Sequence, residues 1–283
     1  MQLSWLDETL AELAAADRIG YLPASSTAAE PTAIAALALH VHGLAEDAHR
    51  TARALVPLQE PAGNVGVRAG ETPSWPTSLA IVAWSTVNKG QPVAHDFQID
   101  NAVAWLLANR GVSIKRSADF GHNSELVGWA YAEQTHSWVE PTALAVLALQ
   151  AAGRAAEPAA REGVAVLLDR QLPGGGLNYG NTFVLGQLIR PHLQPTGLAL
   201  LALAAEPHTA PQMAKSLAWL RNSLNPQTTP LSLAWSLLGL RAQGVELPEA
   251  ADWLAAAAAR VRRTDRSPHK LALLALAQKG WPQ

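Results

Sequence analysis

The sequence predicts an all-α fold, a single-domain (α/α)6 toroid of six inner and six outer helices. Three observations predict it: a proline-headed apolar segment that recurs six times, an amphipathic segment before each, and a low share of charge. Hydrophobic residues make up 49% of the 283 and charged residues 16%, so much of the chain must be buried. Two concentric layers of helix meet that demand, because an inner layer has almost no exposed face.

The inner helices come first. Pro31, Pro76, Pro141, Pro195, Pro230 and Pro268 head PTAIAALAL, PTSLAIVAW, PTALAVLAL, PTGLALLAL, PLSLAWSLL and PHKLALLAL. Proline suits the first turn of a helix, where its missing N–H has no partner to lose. Four residues after each proline stands alanine: Ala35, Ala80, Ala145, Ala199, Ala234 and Ala272. Eight residues after it stands Leu39, Trp84, Leu149, Leu203, Leu238 or Leu276. Those offsets share one helical face, and a recurring alanine lets neighbouring helices approach closely.

The outer helices carry Trp5-Leu6, Ala54-Leu55, Trp105-Leu106, Leu167-Leu168, Trp219-Leu220 and Trp253-Leu254 in matching places, with charged residues around them. The helix pairs span about 1–43, 44–90, 91–153, 154–206, 207–242 and 243–283. Such pairs either stack into an open superhelix or close into a ring. No pair has an obvious polar capping character, which favours closure, with the open solenoid as the alternative.

The net charge of −2 gives no reason to expect nucleic acid or an anionic membrane as partner. The absence of cysteine excludes disulfides, thiolate zinc sites and iron–sulfur clusters. Asp7, Glu8 and Glu12 make the N-terminus unlike a signal peptide, and no apolar run has the ~18 residues of a membrane span. The expectation is a cytoplasmic protein without a transmembrane segment.

Segments 59–75, 111–140 and 171–194, each leading from an outer to an inner helix, are long, and long ordered loops are usually functional. They lie at the rim where the inner helices begin. Helix N-termini gathered there favour negative charge, so a carboxylate or phosphate head group with an apolar tail is the ligand this reading expects.

The ends of the outer helices resemble the QW repeats of squalene cyclases and prenyltransferase β-subunits, in the terpenoid-cyclase superfamily. Arg50, Ala54, Leu55, Gln59 and Gly63 keep that spacing, with Val65 at the tryptophan position. Gly163, Val166, Leu167, Gln171 and Gly175 keep it again, ending in Leu177. Asn101, Ala102, Trp105 and Leu106, like Lys215, Trp219 and Leu220, match its front half. The resemblance covers the whole chain and implies the toroid and an isoprenoid-like ligand. The DxDD, DDxxD and Asp/Cys/His zinc motifs of the family are missing, which withholds its best-known chemistries.

Glu140, just before Pro141 and beside Glu133, His136 and Trp138, is the candidate general acid, with Glu133 and His136 as its companions. Glu30 reads as a helix cap. Trp75, Trp129, Tyr131, Trp138, Tyr179 and the inner-helix Trp235 are candidates to line an apolar pocket, with Asn178 and Arg190 as polar contacts. His122, His136 and His192 lack regular ligand spacing, so no metal and no other cofactor is expected. The leading expectation is a toroid that binds an apolar small molecule, with acid-catalysed cyclisation or isomerisation as its chemistry. The alternatives are a non-catalytic lipid carrier or protein-binding module using the long-loop rim, and a carbohydrate-active (α/α)6 enzyme with paired carboxylates.

Overall fold

Each proline of the repeat falls in or beside the first turn of a helix in the computed structural model, which describes residues 4–89, 94–206 and 210–282. Those six helices are α2 (Ala29–Val41), α4 (Thr77–Val87), α6 (Val139–Ala151), α8 (Leu193–Ala202), α10 (Pro230–Ala242) and α12 (Pro268–Lys279). Between them run α1 (Trp5–Ala15), α3 (Ala45–Arg53), α5 (Asp96–Ala108), α7 (Pro158–Asp169), α9 (Ala210–Ser223) and α11 (Ala250–Arg263). The chain is a single, mostly helical, compact domain.

The even-numbered helices are buried nearly all round. The six repeat alanines each have 0% exposure, and the large residues four positions on have at most 1%. Each even-numbered helix packs on the next, from α2 through α4, α6, α8 and α10 to α12, and α12 packs in turn on α2. The tightest approach is between α8 and α10, where a Cβ on Gly239 would lie 2.2 Å from the Gly197 carbonyl oxygen. Any side chain at that crossing would force the helices apart. The odd-numbered helices lie against this layer with one buried stripe each, such as Leu254, Ala257, Ala258 and Val261 on α11.

Polar side chains answer the free carbonyls at the C-terminal ends of the buried helices. Gln150 donates to Ala202 O at 3.0 Å, Gln243 to Leu200 O at 2.7 Å, and Arg241 to Gln278 O at 3.0 Å. His42 Nε2 lies 2.9 Å from Ala275 O, joining α2 to α12. The first and last segments also meet through Arg262, which pairs with Glu12 at 2.9 Å, and through Ser267, whose hydroxyl donates to Tyr21 O at 2.6 Å.

Three local expectations change. Trp5-Leu6 begins α1 and Trp253-Leu254 lies near the start of α11, whereas Trp105-Leu106 and Trp219-Leu220 lie toward the ends of their helices, so the register of the first and last pairs differs. Ala54-Leu55 falls just beyond α3, before a 3-10 turn at Val56–Leu58. The 171–194 loop contains a short hairpin of β1 (Phe183–Val184) and β2 (Gln187–Leu188), turned by Leu185 and Gly186, both at positive φ. Two consecutive left-handed residues match the twist of a tight hairpin.

Candidate functional site

The threonine that follows four of the repeat prolines fixes the long loops to the inner helices. Thr77 accepts the Val65 N–H at 2.8 Å, Thr142 the Trp129 N–H at 3.0 Å, and Thr196 the Leu177 N–H at 2.8 Å. Thr32 instead donates to Ile19 O at 3.0 Å. Each bond is buried, so each polar group would be costly to leave unpaired.

The QW-like residues hold the same loops from outside. Gln59 donates to Gly63 O at 3.1 Å and to Gln98 O of α5 at 2.9 Å. Gln171 accepts from Ser216 of α9 at 2.9 Å. Arg110 stands four residues after Leu106, where Gln59 stands after Leu55, and pairs with Glu162 of α7 at 2.8 Å. Gly175, at φ +93°, lets α9 pass overhead: a Cβ there would lie 2.3 Å from Lys215 O.

With the loops so held, a cavity of about 410 Å³ opens near the N-terminal turns of the buried, even-numbered helices. Its apolar wall is Trp75, Leu144, Leu198, Leu231 and Trp235, and its polar wall is Tyr21, Glu30, Tyr131, Glu140, Gln194 and His269. Trp235 is held from behind by Trp281, ring centres 5.9 Å apart. That volume lies within the usual range of small-molecule sites.

Two tyrosine–glutamate pairs define the polar wall. Tyr21 donates to Glu30 Oε2 at 2.8 Å, and Tyr131 donates to Glu140 Oε2. Each tyrosine precedes its glutamate by nine residues, and each glutamate precedes Pro-Thr. Burial raises the pKa of both hydroxyls, so both tyrosines stay neutral donors. Burial also pushes the Glu140 carboxyl above the ordinary carboxylate range; the Tyr131 hydroxyl, bonded to Oε2, and the nearby Gln194 amide counter this, while the Glu30 charge adds to it. Glu140 Oε1 is buried without a hydrogen-bond partner. Across the cavity, His269 Nε2 lies 3.4 Å from Glu30 Oε1 without hydrogen-bond geometry, and its ring packs edge-on to Tyr21. Lys270 is engaged by Asp265, whose carboxyl it holds below the usual range.

Of the residues singled out in the sequence, Glu140, Tyr131, Trp75 and Trp235 border this cavity. Trp138 stands behind Tyr131, ring centres 6.0 Å apart, with His136 on its other side at 4.6 Å. His136 is half-buried, and burial lowers its pKa. Val112 N–H bonds Thr135 O at 3.0 Å, which holds this stretch against the 111–128 segment, and His136 does not border the cavity. Glu133 is exposed and borders a separate depression of about 410 Å³ on the outer side of Trp75 and Tyr131. Trp129 also borders that depression, but it is 3% exposed and its indole donates to Leu106 O at 2.8 Å. It occupies the position that Val65 and Leu177 hold in their loops, an anchor rather than a wall of the inner cavity. Tyr179 accepts the Val139 N–H on its carbonyl at 2.7 Å and rests its ring 5.1 Å from His192. Asn178 donates to Arg190 O, closing the base of the hairpin, and the Arg190 side chain is exposed. Two of the six helix N-termini that were expected to welcome an anion already carry a carboxyl, Glu30 on α2 and Glu140 on α6.

Tyr21, Gln194, Leu198 and His269 were not singled out in the sequence. The signal for Tyr21 was present, since it repeats the spacing of Tyr131 to Glu140. The residue before the proline was a second signal: at five of the six prolines it borders the cavity, as Glu30, Trp75, Glu140, Gln194 and Ser267, while Thr229 does not. Among the described residues no group of His, Asp and Glu is arranged to hold a metal ion, and no helix is long and apolar enough to cross a membrane.

No protein-family model and no curated protein matches the chain. Solved structures do. Native alpha-2-macroglobulin from Escherichia coli, spanning domain MG7 to the C-terminus, matches at TM-score 0.54 and 14% identity, over 97% of this chain and 41% of that one. Salmonella alpha-2-macroglobulin reacted with methylamine matches at 0.54 and 13%, over 99% of this chain and 18% of that one. A protein from Actinoplanes matches at 0.56 and 16%, over 93% and 82%. The chain thus spans well under half of either macroglobulin chain, and at these identities the likeness is one of fold alone.

Proposed function

We propose that the chain is an (α/α)6 toroid whose inner-helix mouth binds a small, largely apolar molecule, with Glu140 marking the polar end of the site. The toroid reading is supported by the order of helix contacts, in which α12 comes back to α2. One observation carries the binding reading: a cavity walled by Trp75, Leu144, Leu198 and Trp235 ends on a buried carboxyl whose Oε1 has no partner. An apolar body gains roughly 25 cal/mol per Å² removed from water there, and a donor on the ligand satisfies the carboxyl.

The resemblance to the terpenoid-cyclase and prenyltransferase superfamily makes an isoprenoid-like body the first candidate. Gln59 and Gln171 support it by each tying a loop to the next outer helix, Gln59 as donor to Gln98 O and Gln171 as acceptor from Ser216. Binding has more support than acid-catalysed turnover, because Glu133 and His136 lie outside the cavity. The test is extraction of the protein purified from its own host, with mass spectrometry of the extract. A co-purifying apolar molecule that is lost from Leu198→Trp, which fills the cavity, supports the reading; the same molecule on both proteins contradicts it.

A second reading, a protein-binding module, rests on the hairpin. Leu185 is 96% exposed and Leu188 54%, an apolar tip standing out from the long-loop rim. A partner captured by the wild type and lost from Leu185→Ser/Leu188→Ser would favour it.

A further inference from the structure

We infer that the head group this cavity takes is a small organic cation, an ammonium held between Glu140 and Glu30, and not an anion. The inference rests on the reading of the cavity as a site for an apolar-bodied small molecule and adds the chemistry of its polar end.

The charges at the cavity decide the sign. Glu30 and Glu140 are the carboxylates without a cationic side chain fixed to them, apart from His269 beside Glu30 at 3.4 Å. The one lysine on the wall, Lys270, is already held by Asp265. An anionic head group would therefore meet two carboxyls and find no free ammonium or guanidinium among the wall residues. A cation meets complementary charge, and the aromatic side chains Trp75, Tyr131 and Trp235 border the same space. Ring faces attract cations, and more strongly where water is excluded. The unpartnered Glu140 Oε1, on a residue 7% exposed, lacks the donor that an ammonium N–H supplies. A neutral hydroxyl would also satisfy that oxygen, but it would leave the charge of Glu30 unanswered.

Proton balance follows from the same contacts. The titratable groups facing Glu140 are Tyr131 and Tyr179 from the loops and Glu30 from α2; Gln194 of α8 is neutral. Burial keeps the empty carboxyl protonated to higher pH, and a bound cation favours its ionised form. A bound cation therefore favours release of the Glu140 proton at any pH where the empty carboxyl still holds it.

The experiment compares three probes with one ten-carbon tail on the full chain by calorimetry: geranylamine, geraniol and geranyl phosphate. The expected order is amine tightest, by about tenfold over geraniol, with the phosphate weakest. With pH scanned upward from the ordinary carboxylate range, amine binding should also show, where the empty carboxyl still holds its proton, an enthalpy that varies with the ionisation heat of the buffer. Glu140→Gln should remove that buffer dependence and narrow the amine's advantage, and Glu30→Gln is measured beside it as a second, independently folding variant. Phosphate binding as tightly as the amine, or geraniol matching the amine, overturns the cation assignment while leaving the binding site intact. Failure of all three probes to bind overturns the site itself, and the assignment with it.

Discussion

The Tyr21 hydroxyl donates to Glu30 at 2.8 Å, and the two residues form the same pair, at the same nine-residue spacing, as Tyr131 and Glu140. The first and third helix pairs thus each contribute to one polar wall through the same local motif. In both, the glutamate lies in the first turn of an inner helix and the tyrosine lies in the loop that leads into it. What differs is the remaining partner: His269 beside Glu30, and an unpartnered oxygen on Glu140.

Glu140 makes the first prediction. Its folded-state pKa is raised by burial, so between the unfolded and folded values the native state holds more protons, and stability falls as pH rises through that window. Glu140→Gln keeps an acceptor for Tyr131 and removes this slope. Urea titrations from pH 4 to 8 should show the variant gaining on the wild type as pH rises; a constant difference would contradict the assignment.

His122 gives the opposite slope. Burial, helped by the Arg170 charge, lowers its pKa to about 4. The folded state then binds fewer protons than the unfolded chain, so stability is complete above about 6.5, the ordinary histidine value, and falls as pH drops towards 4. Allowing for partial exposure, the loss is on the order of 2 kcal/mol. His122→Gln should flatten the acid limb of the stability curve by that amount, the remainder coming from His40, His95 and His136, which are lowered by burial as well.

Thr196 is a loop staple. Thr196→Val preserves shape and leaves the buried Leu177 N–H unpaired, at a cost of about 1–3 kcal/mol. Denaturation by urea reads this directly, and a loss below 0.5 kcal/mol, roughly the effect of an ordinary surface change, would deny the staple its role.

Gly175 is required by its backbone and by its neighbour. A side chain there must adopt φ +93° and clear Lys215 O, 2.3 Å from its Cβ. Gly175→Ala should cost roughly 2–4 kcal/mol, from left-handed strain together with displacement of α9. Gly174→Ala next to it is the control, since a Cβ at Gly174 meets nothing within 4 Å.

Much of the helix layout was legible because it is written locally. Pro31 and its five counterparts begin helices, and Ala35 and its counterparts are buried, because helix starts and close helix contacts each select particular residues. Part of the candidate wall was legible for the same reason: Glu140 and Trp75 stand immediately before their prolines. His269 was not, because its place beside Glu30 depends on α12 packing against α2, residues at opposite ends of the chain. Glu133 and His136 lie near Glu140 in sequence but outside the cavity, because their strand-like segment is bonded to Val112. Proximity along an extended segment says little about which face a side chain takes. The Leu185-Gly186 hairpin was missed because so short a ladder leaves only a turn signal between apolar residues.

The most direct test of the central claim is a crystal structure of the chain grown with geraniol. The account predicts density for the tail against Trp75, Leu198 and Trp235, with the hydroxyl at Glu140 Oε1. An empty inner cavity, with the ligand seated instead in the depression beside Glu133 or against the hairpin at Leu185, would contradict it.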